Sequence, residues 1–205
     1  AIMVGTGKGA EHGILIKDAR SLEIANKIKT VVFDKTGTLT NGKPVVTDVI
    51  EIQNSKFKIQ NLLRLAASIE KGSEHSLAEA IVKAAEEKGL TLAKVQGFKA
   101  IAGLGVTGMI DNKNIYFGNR RLMEREKIEF KNYEKDIEKL ENEGKTVMLV
   151  SMDQKLEGLI AVADTIKTSA VAGVKKLQKM GIEVVMITGD NKRTAEAIGN
   201  MLGIT

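Results

Sequence analysis

The chain has 205 residues, 43% hydrophobic and 28% charged, which allows one large domain or two small ones with ordinary cores and excludes a disordered tail. Aromatic residues make up only 3%, so stacking platforms for single-stranded nucleic acid are scarce. The 31 Lys and Arg against 26 Asp and Glu leave a formal charge of +5, interspersed without a basic block, which fits anionic ligands and does not demand nucleic acid. The absence of cysteine removes disulfide frameworks, zinc ribbons and thiol nucleophiles and is compatible with a reducing compartment. No apolar run approaches the ~20 residues that cross a bilayer, and Ala1-Ile2-Met3 lacks the layout of a secretory signal, so a soluble, cytoplasmic polypeptide is expected.

Taken in chain order, Thr30-Val31-Val32-Phe33 is an apolar run ending in Asp34 and a glycine turn, the pattern of a buried strand whose carboxyl end presents a polar loop. Ser76 and Glu79 have capping-box spacing ahead of Leu77, Ile81, Ala84 and Ala85, which predicts a helix to Lys88 with Gly89 behind it. The period then switches to two. Val106–Ile110, a turn at Asp111-Asn112-Lys113 and Asn114–Phe117 read as a hairpin, followed by a polar helix with Tyr133, Ile137 and Leu140 inward. Thr146–Met152 and Leu156–Ala163 make a second hairpin. Thr165–Lys179 reads as a helix with Val171, Val174 and Leu177 on one face and Gly181 as its stop. Glu183–Ile187 reads as a buried strand leading into Thr188-Gly189-Asp190, and Lys192–Leu202 as a helix with Ala195, Ile198 and Leu202 inward. The outer pieces thus follow the strand–helix order of a parallel α/β sheet. The middle reads as an inserted α+β module with an antiparallel sheet, giving expected boundaries at 1–43, 44–157 and 158–205.

The strongest chemical signal is Asp34-Lys35-Thr36-Gly37-Thr38-Leu39-Thr40. A carboxylate at the carboxyl end of a parallel strand sits where open α/β sheets bind ligands, and the glycine turn behind it can aim backbone N–H groups at phosphate oxygens. Asp34 is therefore a candidate nucleophile toward phosphorus, a chemistry that needs a cation such as Mg²⁺ to offset charge. An isolated Asp-x-x-Gly more often just satisfies turn amides; the full string argues against that here. Gly103-Leu104-Gly105-Val106-Thr107-Gly108 spells a dinucleotide fingerprint, but a hairpin follows it where a helix is required, and turn geometry is the simpler account of Gly108. Gly5-Thr6-Gly7-Lys8-Gly9 lacks the Ser or Thr of a phosphate-binding P-loop. The charge run Glu124-Arg125-Glu126-Lys127 reads as a solvated helix face.

DKTGTLT with a downstream TGD resembles the phosphorylation domain of P-type ATPases within the haloacid dehalogenase-like fold. The flanking Gly5–Ala10, Gly13–Lys17 and Leu22-Glu23 resemble the segment after the metal-site membrane helix of copper/silver-like heavy-metal pumps; zinc-group pumps stay open. The resemblance covers essentially the whole chain and implies a phosphorylation domain interrupted by a nucleotide-binding domain, with ATP and Mg²⁺ as ligands. By that resemblance Asp34 is phosphorylated, with Lys35 beside it in the motif. Asp34 and the Thr36 carbonyl hold Mg²⁺, Thr188 and Gly189 hold the transferred phosphoryl, and Asp190 supports that site or the hinge. Phosphatases of the superfamily place a second Asp where this chain has Thr36, so slow hydrolysis of the intermediate is expected.

Ser73-Glu74-His75-Ser76 resembles the Ser-Glu-His-Pro stretch of heavy-metal pumps, whose His contacts adenine together with an upstream Glu, here Glu70. Alone, His75 reads as a solvated helix-start residue; Ser76 stands in the proline's place and can cap the helix. Gly103 and Gly105 resemble the family's Gly-x-Gly loop beneath adenosine, and Gly118-Asn119 another nucleotide contact. The family continues past this chain to a phosphate-binding Lys and a GDGxND stretch. The reading is therefore a C-terminally incomplete cytoplasmic piece of an integral membrane pump, impaired in turnover on its own. Its expected partners are ATP and the pump's own transmembrane and actuator domains, with the transported metal bound elsewhere. A free phosphatase of the same superfamily and a non-catalytic nucleotide-binding module are the alternatives.

Overall fold

The structure, a computed structural model, describes residues 2–52, 58–73 and 75–204; Ala1 and Glu74 of the stretches singled out above lie outside the described residues. The chain begins with helices α1 (Ile2–Glu11) and α2 (Ala19–Ala25), neither of which buries a residue, followed by strands β1 (Thr30–Asp34) and β2 (Val45–Glu51). Next come α3 (Ile59–Glu70), α4 (Ser76–Glu87), β3 (Gln96–Ile101), β4 (Gly105–Ile110), β5 (Lys113–Gly118), α5 (Arg120–Arg125) and α6 (Glu134–Asn142). Strands β6 (Thr146–Met152) and β7 (Lys155–Ala163), helix α7 (Thr168–Lys179), strand β8 (Glu183–Ile187) and helix α8 (Lys192–Leu202) complete it.

Two sheets result. β1 and β8 form a parallel pair in register from Thr30↔Glu183 to Asp34↔Ile187, and a six-stranded antiparallel sheet runs β2-β7-β6-β5-β4-β3. Two hairpins of the larger sheet, β4–β5 and β6–β7, turn on Asp111-Asn112 and Asp153-Gln154, all four at positive φ, the left-handed geometry that matches strand twist. Lys113 therefore belongs to β5, opposite Ile110, and not to the turn as expected. Both faces of this sheet are covered, because successive residues of β6 point opposite ways. Met148, Val150 and Met152 join the core under α3 and α4, while Val147 and Leu149 join the one under α5 and α6.

Three expectations are corrected. β7 carries the antiparallel sheet to Ala163, so a boundary at 157 would cut a strand; its apolar run is continuous across that point and signals no change. The β1–β8 sheet is buried on one face only. Phe33, Val184 and Met186 pack with Val174 of α7 and Ile198 and Leu202 of α8, whereas Val32 is 52% and Ile187 60% exposed. The run Glu124–Lys127 outlasts its helix: α5 stops at Arg125, and Lys127 takes φ +57. Among the described residues no helix is long and apolar enough to cross a membrane.

Candidate active site

Asp34 ends β1 with an exposed side chain, and its neighbour in the sheet, Ile187, is followed directly by Thr188. Adjacent strands lie about 4.8 Å apart, so the two motifs meet at one sheet end. The backbone then makes a wide turn, with Gly37 at φ +76, that closes by a Thr40 N–H bond to the Lys35 carbonyl at 3.1 Å. The Gly37 N–H donates to the Thr40 hydroxyl at 3.2 Å, so this amide serves the turn itself and does not point at a ligand as the glycine pattern implied. The Thr40 hydroxyl donates to Asp164 Oδ2 at 2.5 Å, and the same carboxylate accepts from the N–H groups of Gly42 at 3.0 Å and Lys43 at 3.3 Å. Lys167 Nζ donates to the Gly37 carbonyl at 2.5 Å. The two chain segments that join the modules are thus clasped together at the base of the turn that follows Asp34.

Lys35 turns away from solvent and pairs with Asp190. Asp190 Oδ2 also accepts from the Thr188 hydroxyl at 2.7 Å, Oδ1 accepts from the Thr146 hydroxyl at 2.9 Å, and the Asp190 N–H donates back to Thr188 Oγ1 at 3.1 Å. Burial pushes the Asp190 carboxyl up, but the hydrogen bond and charge of Lys35, with the Thr188 and Thr146 hydroxyls, outweigh it and hold the group below the ordinary aspartate range. The Thr188 hydroxyl is engaged with Asp190, while the space beside Gly189 is open. Among the described residues no group of three His, Cys, Asp or Glu side chains could hold a metal. The Asp34 carboxylate is exposed and Thr36 follows two positions later; carboxylate and carbonyl oxygens are the donor types that suit a hard cation that keeps most of its water.

The other candidate residues sit on the antiparallel module. Leu62 of α3 lies against Gly158 of β7, and Gly72, just past the helix, against Phe98 of β3. α3 therefore crosses the sheet and brings Glu70 toward the β3–β4 margin, whose turn carries Gly103. Glu70 is 4% exposed and its Oε2 has no hydrogen-bond partner. Burial pushes its carboxyl up, against a Ser73 hydrogen bond that pulls it down. The cap of α4 is His75 and not Ser76: its Nδ1 accepts from the Leu77 N–H at 3.3 Å. An accepting Nδ1 leaves the proton of the neutral ring on Nε2, in a side chain that is exposed.

The glycines separate by environment. A Cβ on Gly103 would meet nothing within 4 Å, whereas one on Gly105 or Gly118 would lie 2.2 Å from a carbonyl oxygen of the facing segment. Those two are glycine because paired strands approach each other, whatever else they touch. Gly108 lies inside β4, where a Cβ would come 2.7 Å from Val95 Cγ1; close packing, not turn geometry, explains it. Asn119 caps α5, accepting from the Leu122 N–H at 3.2 Å, and its Nδ2 donates to the Gly103 carbonyl at 2.8 Å, which ties the glycine loop down. Through the registers Gly105↔Gly118 and Gly118↔Leu149, these groups occupy the same sheet end as Thr146, which bonds Asp190. Thr146, Asp164, Lys167 and Glu141 escaped the sequence reading, since each acts on a residue distant in the chain.

Because the buried Glu70 charge is disfavoured, Glu70→Gln is expected to raise the melting temperature at neutral pH by about 3 °C, the effect of a ~1 kcal/mol gain in a chain of this size. The sign follows from the raised folded pKa: stabilisation by the protonated form is complete below the unfolded value and disappears as pH rises through the folded one. The variant's advantage should therefore shrink as pH falls below the ordinary glutamate range. Thermal scans across that range check it; an unchanged or lower melting temperature at neutral pH would contradict a disfavoured charge.

A family model for haloacid dehalogenase-like hydrolases matches residues 28–205. A protein of Synechococcus elongatus described as the probable copper-transporting ATPase PacS is 50% identical over 205 residues, all of this chain and 27% of that protein. A zinc-transporting PIB-type ATPase in its E2.Pi state superposes with a TM-score of 0.71 at 34% identity, covering 100% of this chain and 33% of that one. The catalytic domain of the CPx-ATPase CopB-B, described for conformational changes upon nucleotide binding, gives 0.67 at 27% identity over 98% of this chain and 68% of that one. The chain spans about a quarter of the length of the curated relatives it matches.

Proposed function

The chain belongs to the haloacid dehalogenase-like hydrolase family, and from that premise we propose that it is the ATP-binding catalytic portion of a heavy-metal P-type ATPase, copper being the ion, in which ATP phosphorylates Asp34. The observation that carries this reading is an exposed carboxylate at the end of a parallel strand, beside Thr188 and backed by the Lys35–Asp190 pair. In the reading, residues 1–43 and 164–205 form the phosphorylation part and 44–163 the nucleotide-binding part. The copper assignment comes from relatives of which this chain covers about a quarter, and the transmembrane and actuator partners from the family resemblance of the DKTGTLT and TGD motifs.

Asp34 attacks the γ-phosphorus of ATP, forming an acyl–oxygen bond to phosphorus while the bond to the β,γ-bridging oxygen breaks and ADP leaves with that electron pair. Asp34 and the Thr36 carbonyl are the groups that would hold Mg²⁺, whose charge would offset the repulsion between carboxylate and phosphoryl. The phosphoryl group takes the Thr188 hydroxyl from Asp190 and occupies the open space at Gly189. On the nucleotide side, Glu70 Oε2 is an unmatched acceptor suited to the adenine amino group, and His75 offers its Nε2–H, with Gly103 leaving room for the adenosine. Position 36 carries a threonine and no carboxylate, so no side chain there activates water and the acyl phosphate persists, which favours a pump over a free phosphatase.

The test is phosphorylation of the intact protein from radiolabelled ATP with Mg²⁺ and Cu⁺. An acid-stable, hydroxylamine-sensitive label is expected in the wild type and absent in Asp34→Asn, while the variant keeps its affinity for an ATP analogue. Label surviving Asp34→Asn would overturn the assignment. Nucleotide affinity without label in the wild type would favour the non-catalytic module.

A further inference from the structure

The carboxylate of Asp190 is shared between the two modules. Its Oδ2 faces the parallel sheet, where Lys35 and Thr188 hold it; its Oδ1 is held by Thr146, the first residue of β6 in the antiparallel sheet. Around this bond the start of α8 grips the β6 side at several points. Asn191 Nδ2 and Arg193 Nη1 donate to the buried Glu141 at 2.8 and 3.1 Å, and Arg193 Nη2 to Glu138 at 2.7 Å. The Thr194 hydroxyl donates to the Lys145 carbonyl at 2.9 Å, and Gly144 packs against Ile198 and Met201. These contacts fix where Thr146 stands relative to Asp190.

We propose that Thr146 is a positioning residue: its hydroxyl makes the Lys35–Asp190 strut behind Asp34 depend on the docking of the antiparallel module. Lys35 is adjacent in sequence to Asp34 and Asp190 is two residues from Thr188, so the strut ties together the two strand ends that flank the acceptor carboxylate. While the modules are docked, Asp190 is held by donors on both its oxygens and Lys35 is fixed. When they part, Oδ1 loses its partner, the carboxylate is free to turn, and Lys35 loosens with it. The turn keeps its own hydrogen bonds, but the Lys35 side chain at its start is then fixed only when the module that carries the Gly103–Gly105 loop is in place. No signature marks Thr146 in the sequence, because its partner is 44 residues away.

The consequence for phosphorylation rests on the reading of Asp34 above, but the coupling itself is measured without nucleotide or phosphate, so either can fail alone. Thr146→Val, nearly isosteric, removes the hydroxyl; Thr146→Ser restores it, and Thr146→Ala replaces the valine variant if that does not fold. In this chain, Lys35 ammonium proton exchange and the titration of Asp190 are followed by NMR, with amide exchange in α3 as the control for global stability. Thr146→Val is expected to speed Lys35 exchange about tenfold and to raise the Asp190 midpoint by about one pH unit, the scale of one hydrogen bond to a charged group. Thr146→Ser is expected to match the wild type, and α3 protection to stay unchanged in both. Unaltered Lys35 exchange in Thr146→Val, an equal loss in Thr146→Ser, or a matching loss of α3 protection would each overturn the proposal.

Discussion

Glu141→Ala is expected to destabilise the chain by about 3–5 kcal/mol, lowering the melting temperature by roughly 10 °C, because it removes the buried carboxylate at the centre of an ion cluster whose outer members are half-buried. Glu141 is 1% exposed and meets both nitrogens of the Arg120 fork, Asn191 and Arg193. Burial alone would lower Arg120, yet its bonds to Glu141 and Glu134 raise it; a guanidinium is basic enough to stay charged without the Glu141 bonds too, so it is a cation in wild type and variant alike. Truncation therefore leaves two cations facing a void. Arg120 keeps Glu134 at 2.8 Å and Arg193 keeps Glu138 at 2.7 Å, which limits but does not cancel the loss. Glu141→Gln, which preserves shape and one acceptor, should lose less than alanine. Urea denaturation read at low and high salt tests the cause: a loss that salt erases would belong to a surface pair, whereas a buried cluster is insensitive.

The same cluster explains what sequence could and could not reveal. Local geometry was legible wherever spacing alone determines it: α8 over Lys192–Leu202, α7 ending before Gly181, and the two hairpins turning at Asp111 and Asp153. The turn over 34–40 and the strand end leading into 188–190 were legible as local structure too, since both are built from neighbours in the chain. By contrast, Asp164 reaches Thr40 across 124 residues and Lys167 reaches Gly37 across 130, and no pattern at either position announces the partner. The capping residue of α4 was misread for a related reason. Ser76 and Glu79 satisfy the spacing rule, but the imidazole of His75 reaches the Leu77 amide first and starts the helix one residue earlier. The uninterrupted apolar stretch of β1 reads as a strand covered on both sides; here only the Val31 and Phe33 side is covered.

Gly105→Ala is expected to be nearly as damaging as the loss of Glu141, costing about 3–5 kcal/mol, while Gly103→Ala two residues away costs about 1 kcal/mol. Both are at positive φ, +148 and +70, so alanine is strained at each. The difference lies in what the methyl meets. At Gly105 it would sit 2.2 Å from the Phe117 carbonyl oxygen and 2.6 Å from Gly118 Cα, both backbone atoms of the paired strand that no rotamer change can move aside. Relief requires β4 to part from β5, which also pulls Phe117 from the core beneath α3. At Gly103 the space is empty, so only the dihedral penalty remains. That makes Gly103→Ala the cleaner probe of nucleotide approach: near-normal melting with weakened binding of an ATP analogue places adenosine against this backbone, and unchanged binding removes it. Gly105→Ala with a melting temperature close to the wild type would show that the strands can spread at no cost, contrary to the close pairing on which the loop's shape depends.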